Sequence, residues 1–532
     1  MRHIIDVMRM AGAAALAALL AVGQASAQAP AHTFRWAPQT GVSTLDPHAS
    51  GDTITRGIMQ NIYEGLVRQD RDLKVEPELA LTWSQVSPTL WRFKLRPNVV
   101  FHDGSPFSAD DVVFSFRRAS SGTSDIRARL RMVKEMRRVD AHTLEVETHK
   151  PAPIMVKELL IFPILSRVWA ERNDSVDPAD NRRSGKENFA TRNANGTGPF
   201  KVTGYETDVK IEMAANERWW DKREHNLARV VLTPIRATPT RVAALLSGQV
   251  DVIMPVPEQD EPRIRAAAGY QIMEGPEGRV VYFGLDQARN ELLYSSVKGR
   301  NPFKDVRVRK AFAHAIDAGL IKDKVMRGAS TPVFALIPTM TDGWDATFTQ
   351  RPAPDSALAR RLLAEAGYPN GFTITLDCPN EGYMNVEQIC VAVAGMLARI
   401  GVKVGVLSQA RTAYAGKIGR RDTSFYIHSW GTQTFDAHST IDLLLFTPGQ
   451  GVGTWNIGSY SNSEVDRLIT AISSEMNPGK RREMMIQAQK IAREEVGVIP
   501  LHQQMLSYGV SRKVDMVQRA DDALQLRWVR MK

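Results

Sequence analysis

The stretch Phe372-Thr373-Ile374-Thr375-Leu376, followed by Val386, Ile389, Val393, Leu397 and Ile400, then Gly401 and Val402-Lys403-Val404-Gly405-Val406-Leu407, decides the fold class. The first segment reads as a strand. The apolar residues of the second recur every three or four positions, which places them on one helix face. Gly401 stops that helix where a left-handed residue is cheapest for glycine. The third segment is again a strand. A strand–helix–strand run of this kind forms a parallel sheet, so the chain is read as α/β.

Neighbouring segments repeat the alternation. Asp52-Thr53 is placed to cap a helix carrying Ile54, Ile58, Ile62 and Leu66. Thr240 to Leu246 reads as a helix stopped by Gly248, with a strand from Val250 to Met254. Asp305 caps a further helix with Val308, Phe312, Ile316 and Val325 on one side, ended by Gly328. Asp355 starts a shorter one, with Leu358, Leu362 and Leu363, stopped by Gly367. Residues 172–197 hold almost no apolar side chains, and read as a surface excursion or a domain connection.

The chain of 532 residues exceeds one ordinary core, so two or three domains are expected. Arg2, His3 and Arg9, the apolar run Met10–Val22, and Ala25-Ser26-Ala27 form the three-part signature of a secretory signal peptide. Residues 1–27 are therefore expected to be removed before Gln28, with the mature protein in the periplasm. The run is too short for a membrane span, which needs about 20 residues. The 68 basic and 58 acidic residues leave a net charge of +10. That excess is scattered in pairs such as Arg117-Arg118 and Arg420-Arg421. A nucleic-acid footprint would be a concentrated patch, so no nucleic-acid partner is expected. Cys378 and Cys390 are the only cysteines; in an exported chain they read as one disulfide.

Enzyme motifs are absent: there is no GxGxxG, GxxxxGK[ST], HExxH or GxSxG. His102-Asp103 sits in Phe101-His102-Asp103-Gly104-Ser105-Pro106, which is turn chemistry. The other histidines lack ligand spacing, so no catalytic residue, metal site or cofactor is assigned. One stretch stands apart: Ser424-Phe425-Tyr426-Ile427-His428-Ser429-Trp430-Gly431-Thr432-Gln433-Thr434-Phe435-Asp436. It is a strand leading into a loop, where ligands collect in α/β proteins. A Trp beside Gly offers an apolar wall and exposed backbone, and the acid could take an amine. The competing reading is a core Trp and a capping Asp.

Ordered motifs along the chain resemble family 5 of the bacterial extracellular solute-binding proteins, the peptide and nickel group. They are Leu45-Asp46-Pro47, Asn61-Ile62-Tyr63-Glu64-Gly65-Leu66-Val67, Pro77-Glu78-Leu79-Ala80 and Trp91-Arg92-Phe93-Lys94-Leu95-Arg96. Phe107-Ser108-Ala109-Asp110-Asp111-Val112, Gly196-Thr197-Gly198-Pro199-Phe200, Asp305-Val306-Arg307-Val308-Arg309-Lys310-Ala311, Leu362-Leu363-Ala364-Glu365-Ala366-Gly367-Tyr368 and Ile499-Pro500-Leu501 continue the series. The resemblance implies a periplasmic-binding-protein-like fold of two lobes closing on a ligand, with an additional third domain. Lobe I would combine residues 28–72, 197–293 and 500–532, the extra domain 73–196, and lobe II 294–499. It implies a monomer that captures short peptides and delivers them to the permease of an ATP-binding cassette importer. It places Asp436 where the family holds the ligand's α-amine, with Trp430, Gly431, Thr432, Phe435 and Tyr383 around the ligand. Two departures stand out. Ala437 replaces the proline common in dipeptide binders, and Pro379–Tyr383 lacks the Arg that some relatives use for the ligand carboxylate. The family also includes nickel and metal-chelate binders; His428 and His438 flank the loop, and another amine-bearing solute fits the same pattern.

Overall fold

The computed structural model describes residues 32–180, 185–432, 434–449 and 451–532. The proposed signal peptide lies outside the described residues. The principal sheet has eleven strands: β1 (His32–Pro38), β2 (Phe200–Glu206), β3 (Lys210–Ala215), β4 (Leu227–Leu232), β5 (Val252–Met254), β6 (Tyr270–Leu285), β7 (Ser330–Pro332), β8 (Thr373–Pro379), β9 (Lys403–Gln409), β10 (Phe425–Gly431) and β11 (Ile499–Ser511). Their spatial order is β9-β8-β10-β6-β11-β5-β1-β4-β3-β2, with β7 added to β11. Four helices bear on the site: α1 (Thr53–Met59), α2 (Val386–Ala398), α3 (Ala437–Leu444) and α4 (Pro478–Glu494).

The deciding stretch folds as read. β8 and β9 pair in parallel, from Thr373 opposite Lys403 to Pro379 opposite Gln409, with α2 as the crossover. Val386, Ile389, Val393 and Leu397 of α2 are buried. Each such side chain stabilises the packing by roughly 1.5–3 kcal/mol. The Cys378–Cys390 disulfide ties the end of β8 to α2. Along β10 the side chains alternate: Phe425 and Ile427 enter one core, with Phe312, Leu376 and Ile389. Tyr426 enters another, with Ile441, Ile469 and Met485. That alternation is the period of two expected of a strand buried on both faces.

Two further large cores follow, beside a small one around Val242, Leu245, Ile253 and Ile264. One gathers Phe34, Trp36, Ile58, Phe200, Val230, Tyr508 and Leu526. The other lies under a four-stranded antiparallel sheet ordered Ala80–Ser87, Leu90–Leu95, Thr143–Thr148, Val133–Asp140, and contains Phe93, Leu95, Val112, Leu144 and Val146.

Packing departs from the expected domain edges in three places. Val281, Phe283, Leu285 and Leu292 join the core of residues 303–501, not that of lobe I. Leu66 and Val67 join the core of the extra domain, while Leu165, Trp169 and Ala190 join that of lobe I. The first difference has a clear cause. β6 runs from one lobe into the other as one strand, and its Gly275-Pro276 and Gly278 mark a break within that strand rather than its end. Its ladder with β11 pairs Tyr270–Pro276 with Ser511–Met505, breaks, and resumes from Val280 opposite Gln503. The break contains Gly278, where an added Cβ would lie 3.0 Å from both the Ala520 carbonyl and the Phe435 ring.

Two helices are shorter than their apolar spacing suggests. α1 ends at Met59, and the Asn61 amide donates to the carbonyls of Gly57, Ile58 and Leu524, tying the turn to the C-terminal segment. The helix capped by Asp305 ends at Ala315, because Asp317 accepts from Leu320 N at 2.8 Å and restarts the chain. The polar segment after residue 172 folds back onto a buried ion pair. Arg118 reaches the carbonyls of Ser175 and Asp177, and Ala179 N donates to Asp46.

Candidate ligand-binding site

The break between the two halves of the β6–β11 ladder forms the floor of a cavity of about 660 Å³. That is the size range of small-molecule sites, roughly 300–1,000 Å³. Lobe I contributes Arg56, Gln60, Glu277 and Asp522 to its lining, the extra domain Arg129 and Glu158, and lobe II His428, Trp430, Thr432 and Trp455. A side chamber of about 60 Å³ shares Arg56, Gln60, Gln69 and Arg129 with it.

The floor is held by a polar network. Arg279 Nε donates to Glu277 at 2.7 Å, and its Nη1 donates to Ser429 at 3.0 Å. Gln504 donates to the Glu277 carboxylate and Gln503 to its carbonyl. Thr432 N donates to Gly278 O at 2.9 Å, locking the loop after β10 to the β6 break. Asp522 accepts from Tyr508 at 2.7 Å; burial, then the neighbouring Glu277 charge, pushes it up to about 7. Burial also pushes Glu158 up to about 7. Both carboxyls carry a desolvation cost that a ligand cation would offset.

One wall is aromatic. His428 stacks on Trp455 at a centroid distance of 5.9 Å, and Trp430 lies 5.6 Å from Trp455. Trp455 keeps 42% of its surface exposed, so it offers a ring face to a ligand. Burial holds the His428 imidazole down to about 4 and also lowers that of His438, so both are neutral at pH 7.

Of the residues expected at the ligand, Trp430, Gly431 and Thr432 line the cavity. Phe435, Asp436 and Tyr383 are not part of its lining. Phe435 packs beneath Gly278, and Tyr383 donates its hydroxyl to Ile427 O at 3.2 Å. Asp436 is fully buried and its charge is already matched. Arg481 grips it with two hydrogen bonds of 2.7 and 2.8 Å, and Lys157 of the extra domain lies at 3.2 Å. Burial alone would raise its carboxyl, but these cations hold it below the ordinary range. It also caps α3 by accepting from His438 N. Asp436 thus caps α3, while Trp430 lines the cavity. No group of three or more metal-ligating side chains is gathered among the described residues.

Sequence reasoning missed Arg56, Arg129, Glu277, Asp522 and Trp455. Trp455 had a usable signal, since it follows the glycine-rich segment Gly449–Gly453. The others come from distant parts of the chain.

The family model for bacterial extracellular solute-binding proteins, family 5, middle, matches residues 74–451. The chain is 24% identical over 473 residues to the glutathione-binding protein GsiB of Shigella boydii serotype 4, covering 86% of each. It is 27% identical over 466 residues to heme-binding protein A of Haemophilus influenzae, covering 83% of this chain and 81% of that one. Among solved structures it superposes on the periplasmic binding protein DppA of Helicobacter pylori in complex with the peptide STSA. That match has a TM-score of 0.76 at 20% identity, over 94% of this chain and 98% of the other. Two lobes with a third domain are the architecture shared with these proteins. The chain belongs to the bacterial extracellular solute-binding proteins, family 5.

Proposed function

We propose that this protein is the periplasmic substrate-binding component of an ATP-binding cassette importer for short peptides. It captures its ligand between the lobes and delivers it to the permease as a monomer, without catalysis or cofactor. The observation that carries this reading is the cavity itself. It lies where the strands shared by the lobes break, has an aromatic wall of Trp430 and Trp455, and holds a half-buried carboxyl, Asp522, that forms no ion pair among the described residues.

Asp436 cannot serve a ligand ammonium without first releasing Arg481 and Lys157. We assign the peptide α-ammonium to Asp522 instead. Bringing a cation beside that carboxyl restores its charged form and strengthens the hydrogen bond between them. A kindred solute-binding reading, a carboxylate-bearing metal chelate or another amine-bearing solute, is favoured by the neutral imidazoles of His428 and His438 in the same lining.

Calorimetric titration with a free tripeptide and its N-acetylated twin tests the assignment. Asp522→Asn should weaken the free peptide by roughly 30-fold, about 2 kcal/mol, and leave the acetylated one unchanged. Equal binding of the free peptide by both forms would remove Asp522 from this role. Mass spectrometry of solutes retained by protein taken from the periplasm checks the ligand class; recovery of metal chelates in place of peptides would overturn the peptide reading.

A further inference from the structure

Two arginines in the cavity form no side-chain hydrogen bond or ion pair among the described residues. Arg56 stands on α1 in lobe I, and Arg129 lies in a short turn of the extra domain, Arg127–Leu130. Both line the main cavity and the side chamber. The other arginines around the cavity are engaged: Arg131 with Asp442 at 3.2 Å, Arg279 with Glu277 at 2.7 Å, and Arg519 with Asp521.

The pair is electrostatically unfinished. Burial, followed by the charge of Arg129, holds Arg56 down to about 10, which still leaves it protonated at pH 7. Asp521 and Asp52 act on Arg56, and Glu158 on Arg129, through space without forming an ion pair, and burial pushes Glu158 up to about 7. Two guanidinium forks facing one cavity from different domains make a receptor for planar anions, since each can hold a carboxylate by two parallel hydrogen bonds.

We propose that Arg56 and Arg129 form the anion-holding end of the cleft, so that the ligands taken up best carry two or more carboxylates, as in a peptide with an acidic C-terminal residue. This deepens the peptide reading, and rests on it for the remainder of the ligand. A ligand carboxylate between these forks touches lobe I and the extra domain together. The aromatic wall on lobe II takes the other end.

Titration with Ala-Ala-Glu, Ala-Ala-Ala and Ala-Ala-Ala-amide tests the proposal, together with the thermal shift caused by tricarballylate. The wild-type protein should bind Ala-Ala-Glu at least 10-fold more tightly than Ala-Ala-Ala, and the amide most weakly. Arg56→Gln and Arg129→Gln should each erase that preference. Because neither guanidinium is hydrogen-bonded or ion-paired among the described residues, the ligand-free variants should melt no lower than the wild type. A lower melting temperature would show a structural role and overturn the proposal. So would an amide bound as tightly as the free acids, or an acid preference kept by the variants. If no peptide binds but tricarballylate raises the melting temperature of the wild type and not of the variants, the anion site stands and the peptide reading falls. If peptides bind without preference and tricarballylate has no effect, the reverse holds. Silence from every probe overturns the anion site as well.

Discussion

Asp46 and Asp436 are both fully buried aspartates gripped through two hydrogen bonds by an arginine, yet they do different work. Asp46 belongs to lobe I, and its partner Arg118 belongs to the extra domain. The same guanidinium also bonds Ser175 O and Asp177 O, and Asp46 takes further bonds from Ala179 N and Asn188. Asp436 and its partner Arg481 both lie in lobe II. Only Lys157, 30% exposed, crosses from the extra domain to reach Asp436, and Asp342 beside it. One joint is a dense, buried network; the other consists of Lys157 and the more exposed Arg131–Asp442 pair. The contrast predicts that the extra domain travels with lobe I and that the cleft opens on the Lys157 side.

Breaking the dense joint should cost most. Arg118→Met leaves Asp46 buried without a counter-charge, and should destabilise the protein by about 3–5 kcal/mol in denaturant unfolding. A loss under about 1 kcal/mol would mean the joint is not the anchor it looks like. Asp436→Asn should follow, at about 2–3 kcal/mol, because the hydrogen bonds to charged Arg481 are weakened. Its affinity for a free peptide should stay within a few-fold of the parent. A 30-fold loss of affinity without loss of stability would restore Asp436 as the ligand's ammonium anchor.

Acid should act on both joints. Burial opposes the charged forms of Asp46 and Asp436, but their cations win, and both carboxyls titrate below the ordinary value. A depressed folded pKa contributes stability above the unfolded value, about 3.9, and that stability is lost as pH falls through the folded value. Melting temperatures recorded from pH 6 down to pH 2 should therefore drop steeply below about pH 4. In Arg118→Met that drop should be shallower, since one source is gone. Lys157→Met should have the smallest effect, under about 1 kcal/mol on stability. Small-angle scattering of the ligand-free form should nevertheless show a larger radius of gyration than the parent. An unchanged radius would show that Lys157 does not hold the cleft shut.

Much of this architecture could be read locally. The caps at Asp305 and Asp355 and the α/β unit over residues 372–407 depend on neighbours a few positions apart, and all appear. Trp430 reached the cavity because the end of a strand is where loops meet ligands. The Arg481 pairing of Asp436 was not legible, because Arg481 sits 45 positions downstream on α4, where no spacing rule points. Arg56 and Arg129 were passed over for a related reason. An arginine is notable only when it lacks a partner, and a partner is a property of three dimensions. The crossing between lobes is hard to place by sequence because one strand, β6, continues through it.

That uninterrupted crossing has a mechanical consequence. β6 and β11 are laddered to each other above and below the gap at Glu277–Arg279, so the pair acts as a torsion bar clamped at both ends. Its soft point is Gly278, and a single methyl there would press on Ala520 and Phe435. The residues that set the stiffness of this bar also line the cavity floor, so a substitution there alters both.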